Sequence, residues 1–134
     1  MNTYNVSDNE FVQSDLYKKF LSTNPALGFL KIRAYAASGA VPIADLPIQI
    51  SKEIDGNKVI FFEGVTNTSG VIERISLPTI RVNGDNMMAP GFVVYDVTTN
   101  YNDEIRTYKV NIYDDIYVVQ NINVTPNISY GVND

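Results

Sequence analysis

A chain with 15 acidic side chains, 10 basic ones and neither histidine nor cysteine has few chemistries open to it. Without histidine it lacks the usual general base and the commonest metal ligand. Without cysteine it has no thiolate nucleophile, thiolate metal site or disulfide. Carboxylate chemistry remains, and Glu63, Glu73, Asp96, Glu104, Asp114 and Asp115 are its candidates. A glycosidase-like pair needs two carboxylates across a cleft, one with a raised pKa. Asp96 and Glu73 instead fall where solvated faces are expected, so no catalytic residue is assigned and the expectation is a protein that is not an enzyme. Calcium needs only oxygen ligands, and Asp55, Asn57, Asp85, Asn86, Asp114 and Asp115 all lie in predicted loops. None has EF-hand spacing, and turns favour Asp and Asn for backbone reasons alone. No metal or other cofactor is expected.

A Lys–Asn isopeptide crosslink would need a lysine on the first body strand, an asparagine on the last and a buried acid between them. Lys31, Asn123 and Glu63 are the nominees, but Lys31 alternates outward from Leu30 and Ile32, and Asn123 outward from Ile122 and Val124. That parity opposes a core crosslink. Sequons at Asn5, Asn67, Asn123 and Asn127 follow from an asparagine-rich chain. The more suggestive groups are aromatic. Tyr113 and Tyr117 flank the Asp114-Asp115 turn on outward positions, and Tyr35 is outward too. With Met87 and Met88 of a long loop, these tyrosines form a candidate ligand or interface surface, since exposed tyrosine is favoured at interfaces.

The elements that position these groups are mostly strands. Leu30, Ile32, Ala34 and Ala36 alternate with Lys31, Arg33 and Tyr35, and Ile48 and Ile50 alternate with Gln49 and Ser51. Residues 59–66 and 71–77 flank Asn67-Thr68-Ser69-Gly70, a hairpin-like connection. Val93, Tyr95 and Val97 form a further series, as do Tyr108, Val110 and Ile112, then Ile116, Val118, Ile122 and Val124. Asp55-Gly56-Asn57 and Asp114-Asp115 supply two more turns. Seven strands this short, with turn signals every 8 to 12 residues, predict an all-β sandwich or barrel and not a βαβ protein. Residues 78–91, rich in proline and glycine, read as a crossover between sheets.

Three regions follow: a leader over 1–26, a sandwich over 27–126 and a tail over 127–134. In the leader Val12, Leu16 and Phe20 recur at helical spacing, Asp8 is a suitable N-cap and Asn24-Pro25 a stop, predicting one amphipathic helix over about 9–22. In the tail Ile128, Tyr130 and Val132 alternate like a strand. Val12, Leu16, Phe20, Ile128, Tyr130 and Val132 are the candidate assembly interface. The expected core is Leu30, Ile32, Ile48, Ile50, Phe61, Val93, Tyr95, Val97, Tyr108, Val110, Ile112, Val118 and Ile122.

At 134 residues, 45% of them hydrophobic, the chain has the make-up of one globular domain. A net charge of −5 with scattered lysine and arginine argues against nucleic acid as a partner. No stretch approaches a transmembrane span, so no membrane partner is expected. The N-terminus lacks a signal-peptide pattern, so synthesis in the cytosol is expected, with final residence in an extracellular, spore-surface or virion assembly.

The turns and apolar alternation between about 28 and 125 resemble carboxypeptidase-regulatory-like, transthyretin-like (prealbumin-like) domains, which implies a seven-stranded antiparallel Greek-key sandwich of prealbumin-like or immunoglobulin-like type. Residues 40–50, Ala-Val-Pro-Ile-Ala-Asp-Leu-Pro-Ile-Gln-Ile, resemble that family's "pi.gA.V.i" segment. Thr66 to Gly70 are similar to its "TD..G" turn, Ile75-Ser76-Leu77-Pro78 to its "i.LP" strand end, and Tyr108 to Val124 to its closing strand pair. Asn67 departs from the family's aspartate, and Leu46-Pro47 from its small pair. The leader's Asn24-Pro25-Ala26-Leu27-Gly28-Phe29-Leu30-Lys31 also resembles short proteins of Gram-positive, spore-forming bacteria. The resemblance implies stalks, adhesive modules and appendages, hence a structural subunit that self-assembles through its terminal arms into a filament, coat or particle surface, as a homo-oligomer or homopolymer. The alternative is a module binding cell-wall glycan or peptidoglycan.

Overall fold

The structure, a computed structural model, describes residues 2–82 and 91–124. Met87, Met88, Ile128, Tyr130 and Val132 lie outside the described residues. The chain runs through β1 (Thr3–Asn5), α1 (Asn9–Val12), α2 (Asp15–Thr23), β2 (Ala26–Ala36), β3 (Val41–Pro42), β4 (Pro47–Ile54), β5 (Asn57–Val65), β6 (Val71–Thr79), β7 (Val93–Tyr101), β8 (Glu104–Ile112) and β9 (Tyr117–Asn123). Two sheets face each other. The first has the order β1-β5-β4-β7-β8; in the second, β2 carries β6 and β3 along one edge and β9 along the other.

The all-β sandwich is as the alternation predicts, but its connectivity is richer. Nine strands are described where seven are expected, and two pairings are parallel: β1 with β5 and β2 with β9. Parallel partners lie far apart in sequence, so local turn signals cannot announce them. Asn67 to Gly70 also turns differently from expectation. Because β5 pairs with β4 and β6 with β2, this turn is a corner from one sheet to the other, not a hairpin. Asn67 Oδ1 accepts from the amides of Ser69 (2.9 Å) and Val71 (3.0 Å), so asparagine closes the turn as an aspartate would. The true hairpins are tight. Asp55-Gly56 has φ of 50° and 78°, and Asn102-Asp103 has 52° and 66°, the paired positive φ of a two-residue turn matched to strand twist.

Strand alternation sets the core. Leu30, Ile32, Ile48, Ile50, Val93, Tyr95, Val97, Val110, Ile112 and Ile122 are all buried, and Phe61, Tyr108 and Val118 pack half-buried against them. Lys31 is only half-buried, while Arg33 and Lys109 are exposed, which fixes the register.

The leader differs from its expectation in one respect. Instead of a single helix there are two, interrupted at Gln13-Ser14. Asp8 caps α1 through the Glu10 amide, as read from sequence; Ser14 caps α2 by accepting from Tyr17 N (3.3 Å), and its hydroxyl donates to the Phe11 carbonyl (2.6 Å). A serine that serves both helix ends competes with continuous helix. The break resets the phase, so Phe11 and Phe20 are buried with Tyr17 and Leu21 beside them, while Val12 and Leu16 are half-buried. Rings then stack from the leader into the sandwich: Tyr4–Phe11 at 4.9 Å, Phe11–Tyr17 at 5.2 Å, Phe20–Phe61 at 5.7 Å and Phe61–Tyr95 at 5.1 Å. Phe20 therefore belongs to the core of the sandwich and not to an exposed surface. Ser14→Ala is expected to cost about 1 kcal/mol, read as a lower urea midpoint with an unchanged slope.

Candidate functional site

The carboxylates considered for chemistry are dispersed. Glu63 Oε1 and Oε2 accept from the amides of Asn5 and Gln49, both at 3.2 Å. Asp96 pairs with Lys109, Glu104 with Arg106 and Glu73 with Lys31, and Asp114 accepts from the Val82 amide. Asp115 sits in its turn at φ 56°. Among the described residues no three acids stand close enough to share a metal ion. The crosslink nominees are also apart: Lys31 pairs with Glu73 on the second sheet, Glu63 lies on the first sheet, and Asn123 is exposed. Lys52 is a partly buried cation. Burial pushes its ammonium below the ordinary lysine range, with the Asp96 carboxylate opposing. Its Nζ donates to the Val94 carbonyl at 3.0 Å and lies 5.9 Å from the Tyr95 ring.

The outer face of the second sheet is built differently. Outward positions of β2 hold Leu27, Phe29, Lys31, Arg33 and Tyr35, and β9 lies parallel with Tyr117 opposite Phe29, Val119 opposite Lys31 and Asn121 opposite Arg33. Leu27, Tyr117 and Val119 are each 47–51% exposed. With Phe29 they make one apolar patch, and a contiguous exposed patch marks an interaction site where scattered residues would not. Charges rim it. The Arg74 guanidinium stands 4.1 Å over the Phe29 ring, the Phe29 and Tyr117 rings are 6.2 Å apart, the Tyr117 hydroxyl donates to the Glu73 carbonyl, and Lys31 reaches Glu73 at 3.6 Å. An apolar centre with tyrosine, phenylalanine and arginine around it is the composition of a protein interface.

The three tyrosines singled out from sequence thus part company. Tyr117 is in the patch. Tyr35 shares its face but pairs with Asn123, six strand positions beyond Tyr117, or about 20 Å away, and carries Arg33 over its ring at 4.9 Å. Tyr113 lies elsewhere, half-buried and edge-on to Phe92 at 5.5 Å. Leu27, Phe29 and Val119 escaped the sequence reading. Their signal was present: Phe29-Leu30 and Tyr117-Val118-Val119 are unbroken apolar runs, so apolar side chains must point both ways from these strands.

This architecture is a transthyretin-like β-sandwich with a short N-terminal helical segment. Among solved structures the chain is similar to 5-hydroxyisourate hydrolase of Klebsiella pneumoniae, with a TM-score of 0.52, 15% identity, and 75% of this chain and 92% of that one covered. No family model matches the chain. No curated protein matches it in sequence. The likeness corrects one expectation. The expectation is a protein that is not an enzyme, but a protein of this fold is named a hydrolase, so the fold gives no ground for excluding an enzyme.

Proposed function

We propose that this protein is a self-associating subunit that joins copies of itself through the outer face of the second sheet, as an element of a filament, coat or particle surface. The apolar patch of Leu27, Phe29, Tyr117 and Val119 carries this reading. Covering it removes three half-exposed hydrophobic side chains from water, at about 25 cal/mol per Å² of apolar surface. The open edge of β9, which pairs only with β2 among the described residues, adds unpaired backbone groups beside the patch. Partner protein suits this face better than cell-wall glycan, because Arg74 already occupies one face of the Phe29 ring and leaves Tyr117 as the ring open to a sugar.

Sedimentation velocity over a concentration series tests the reading. Species larger than the 14.9 kDa chain are expected to grow with concentration. Val119→Asp, at an outward, half-exposed position, is expected to reduce them to monomer while far-UV circular dichroism stays unchanged. A wild-type protein that stays monomeric throughout would defeat the proposal.

A further inference from the structure

We infer that the self-association is head to tail: the patch of one copy seats on a shallow depression in the outer face of the first sheet of the next. This rests on the proposed self-association and names its second surface. The depression has a volume of about 260 Å³ and is lined by Pro47, Gln49, Glu63, Gly64, Asn100 and Ile105 among others. Its rim holds the two most exposed large hydrophobic residues described, Ile105 at 68% and Val65 at 56%, and Val65 stands opposite Pro47 in the β4–β5 ladder. The molecule thus presents apolar surface on both of its outer faces.

Charge decides between joining like faces and joining unlike ones. The patch face carries Lys31, Arg33 and Arg74 against Glu73 and Asp115, whose amide donates to the Leu27 carbonyl, a sum of 3 − 2 = +1, so the rest of a chain of net charge −5 carries −5 − 1 = −6. Patch against patch would oppose two cationic rims, and like charges brought together across an interface suppress association. The depression instead offers Glu63, whose carboxylate accepts from two neutral amides and forms no ion pair among the described residues. A cationic rim and an acidic depression are complementary. They also lie on opposite sides of the sandwich, so each copy repeats the last in nearly the same direction. A heterologous contact that does not close a ring grows as an open chain.

Two single-face variants test this by mixing. Val119→Asp disables the patch and leaves the depression; Ile105→Asp does the reverse, with Val65→Asp as an independent second variant on the same rim. Each variant alone is expected to sediment as a monomer with wild-type circular dichroism. An equimolar mixture of a patch variant with a depression variant is expected to give a dimer that grows no further, since one working pair of surfaces remains. If Ile105→Asp and Val65→Asp both assemble like wild type while Val119→Asp does not, the contact is patch to patch; self-association then stands and the head-to-tail inference falls. A mixture that stays monomeric also overturns it. A monomeric wild type removes both.

Discussion

Replacing Tyr95 with alanine is expected to lower the unfolding free energy by about 3–5 kcal/mol. Tyr95 is fully buried in the middle of β7 and touches every layer of the molecule. Its ring meets Phe61 edge-on at 5.1 Å, and through Phe61 the rings of α2. Its hydroxyl donates to the Pro78 carbonyl on β6, joining the two sheets. Tyr95→Phe keeps the ring and removes only that donor, leaving a buried carbonyl unpaired at about 1–3 kcal/mol. Urea unfolding should therefore rank the three proteins with the alanine variant last, and equal losses for the two substitutions would refute the division between ring and hydroxyl. The pH dependence gives a second readout. Burial pushes the Tyr95 phenol well above its ordinary value of 10.0, so the folded state keeps a proton that the unfolded state releases. The sandwich should lose stability as pH rises beyond about 10, and Tyr95→Phe should flatten that decline.

Tyr95 was legible as core because alternation along a strand assigns faces, and the same reasoning placed Lys31, Arg33 and Lys109 outside. Alternation says nothing about partners. The parallel registers Tyr4 with Val59 and Leu30 with Val118 depend on which strands meet after the chain has crossed between sheets. The Asn67–Gly70 turn shows the same limit, since its residues specify a sharp reversal and not whether the strands after it pair together. The leader's helical spacing was real, but Ser14 satisfies backbone groups on both sides of it and the buried phase begins anew. The outer apolar patch was half visible. Tyr117 stood out as an aromatic at an outward position, whereas Leu27, Phe29 and Val119 looked like ordinary strand residues. Only the parallel docking of β9 on β2 brings them together.

Gly70→Ala should be the most damaging conservative change at a turn, costing about 3–5 kcal/mol where a free-standing left-handed position costs about 1–2. Gly70 has φ +76°, and a Cβ there would lie 2.4 Å from the Ala34 carbonyl oxygen and 3.0 Å from Ile43 N. Neither obstacle is a flexible side chain. That carbonyl accepts from Ile43 N (3.1 Å), and the Gly70 carbonyl accepts from Ala34 N (2.7 Å), so moving aside strains two backbone hydrogen bonds worth about 1 kcal/mol each. The Ala34–Gly70 bond pins the sheet-to-sheet corner onto β2, the strand that carries Phe29, Lys31 and Arg33, and the Ile43–Ala34 bond holds the segment after β3 beside it. Gly56 provides the control, with nearly the same φ of +78° and nothing within 4 Å of its added Cβ. Gly56→Ala should show the backbone strain alone, and the difference between the two variants in urea unfolding isolates the close approach. Equal losses at the two positions would mean that the corner yields freely and that β2 is not held there.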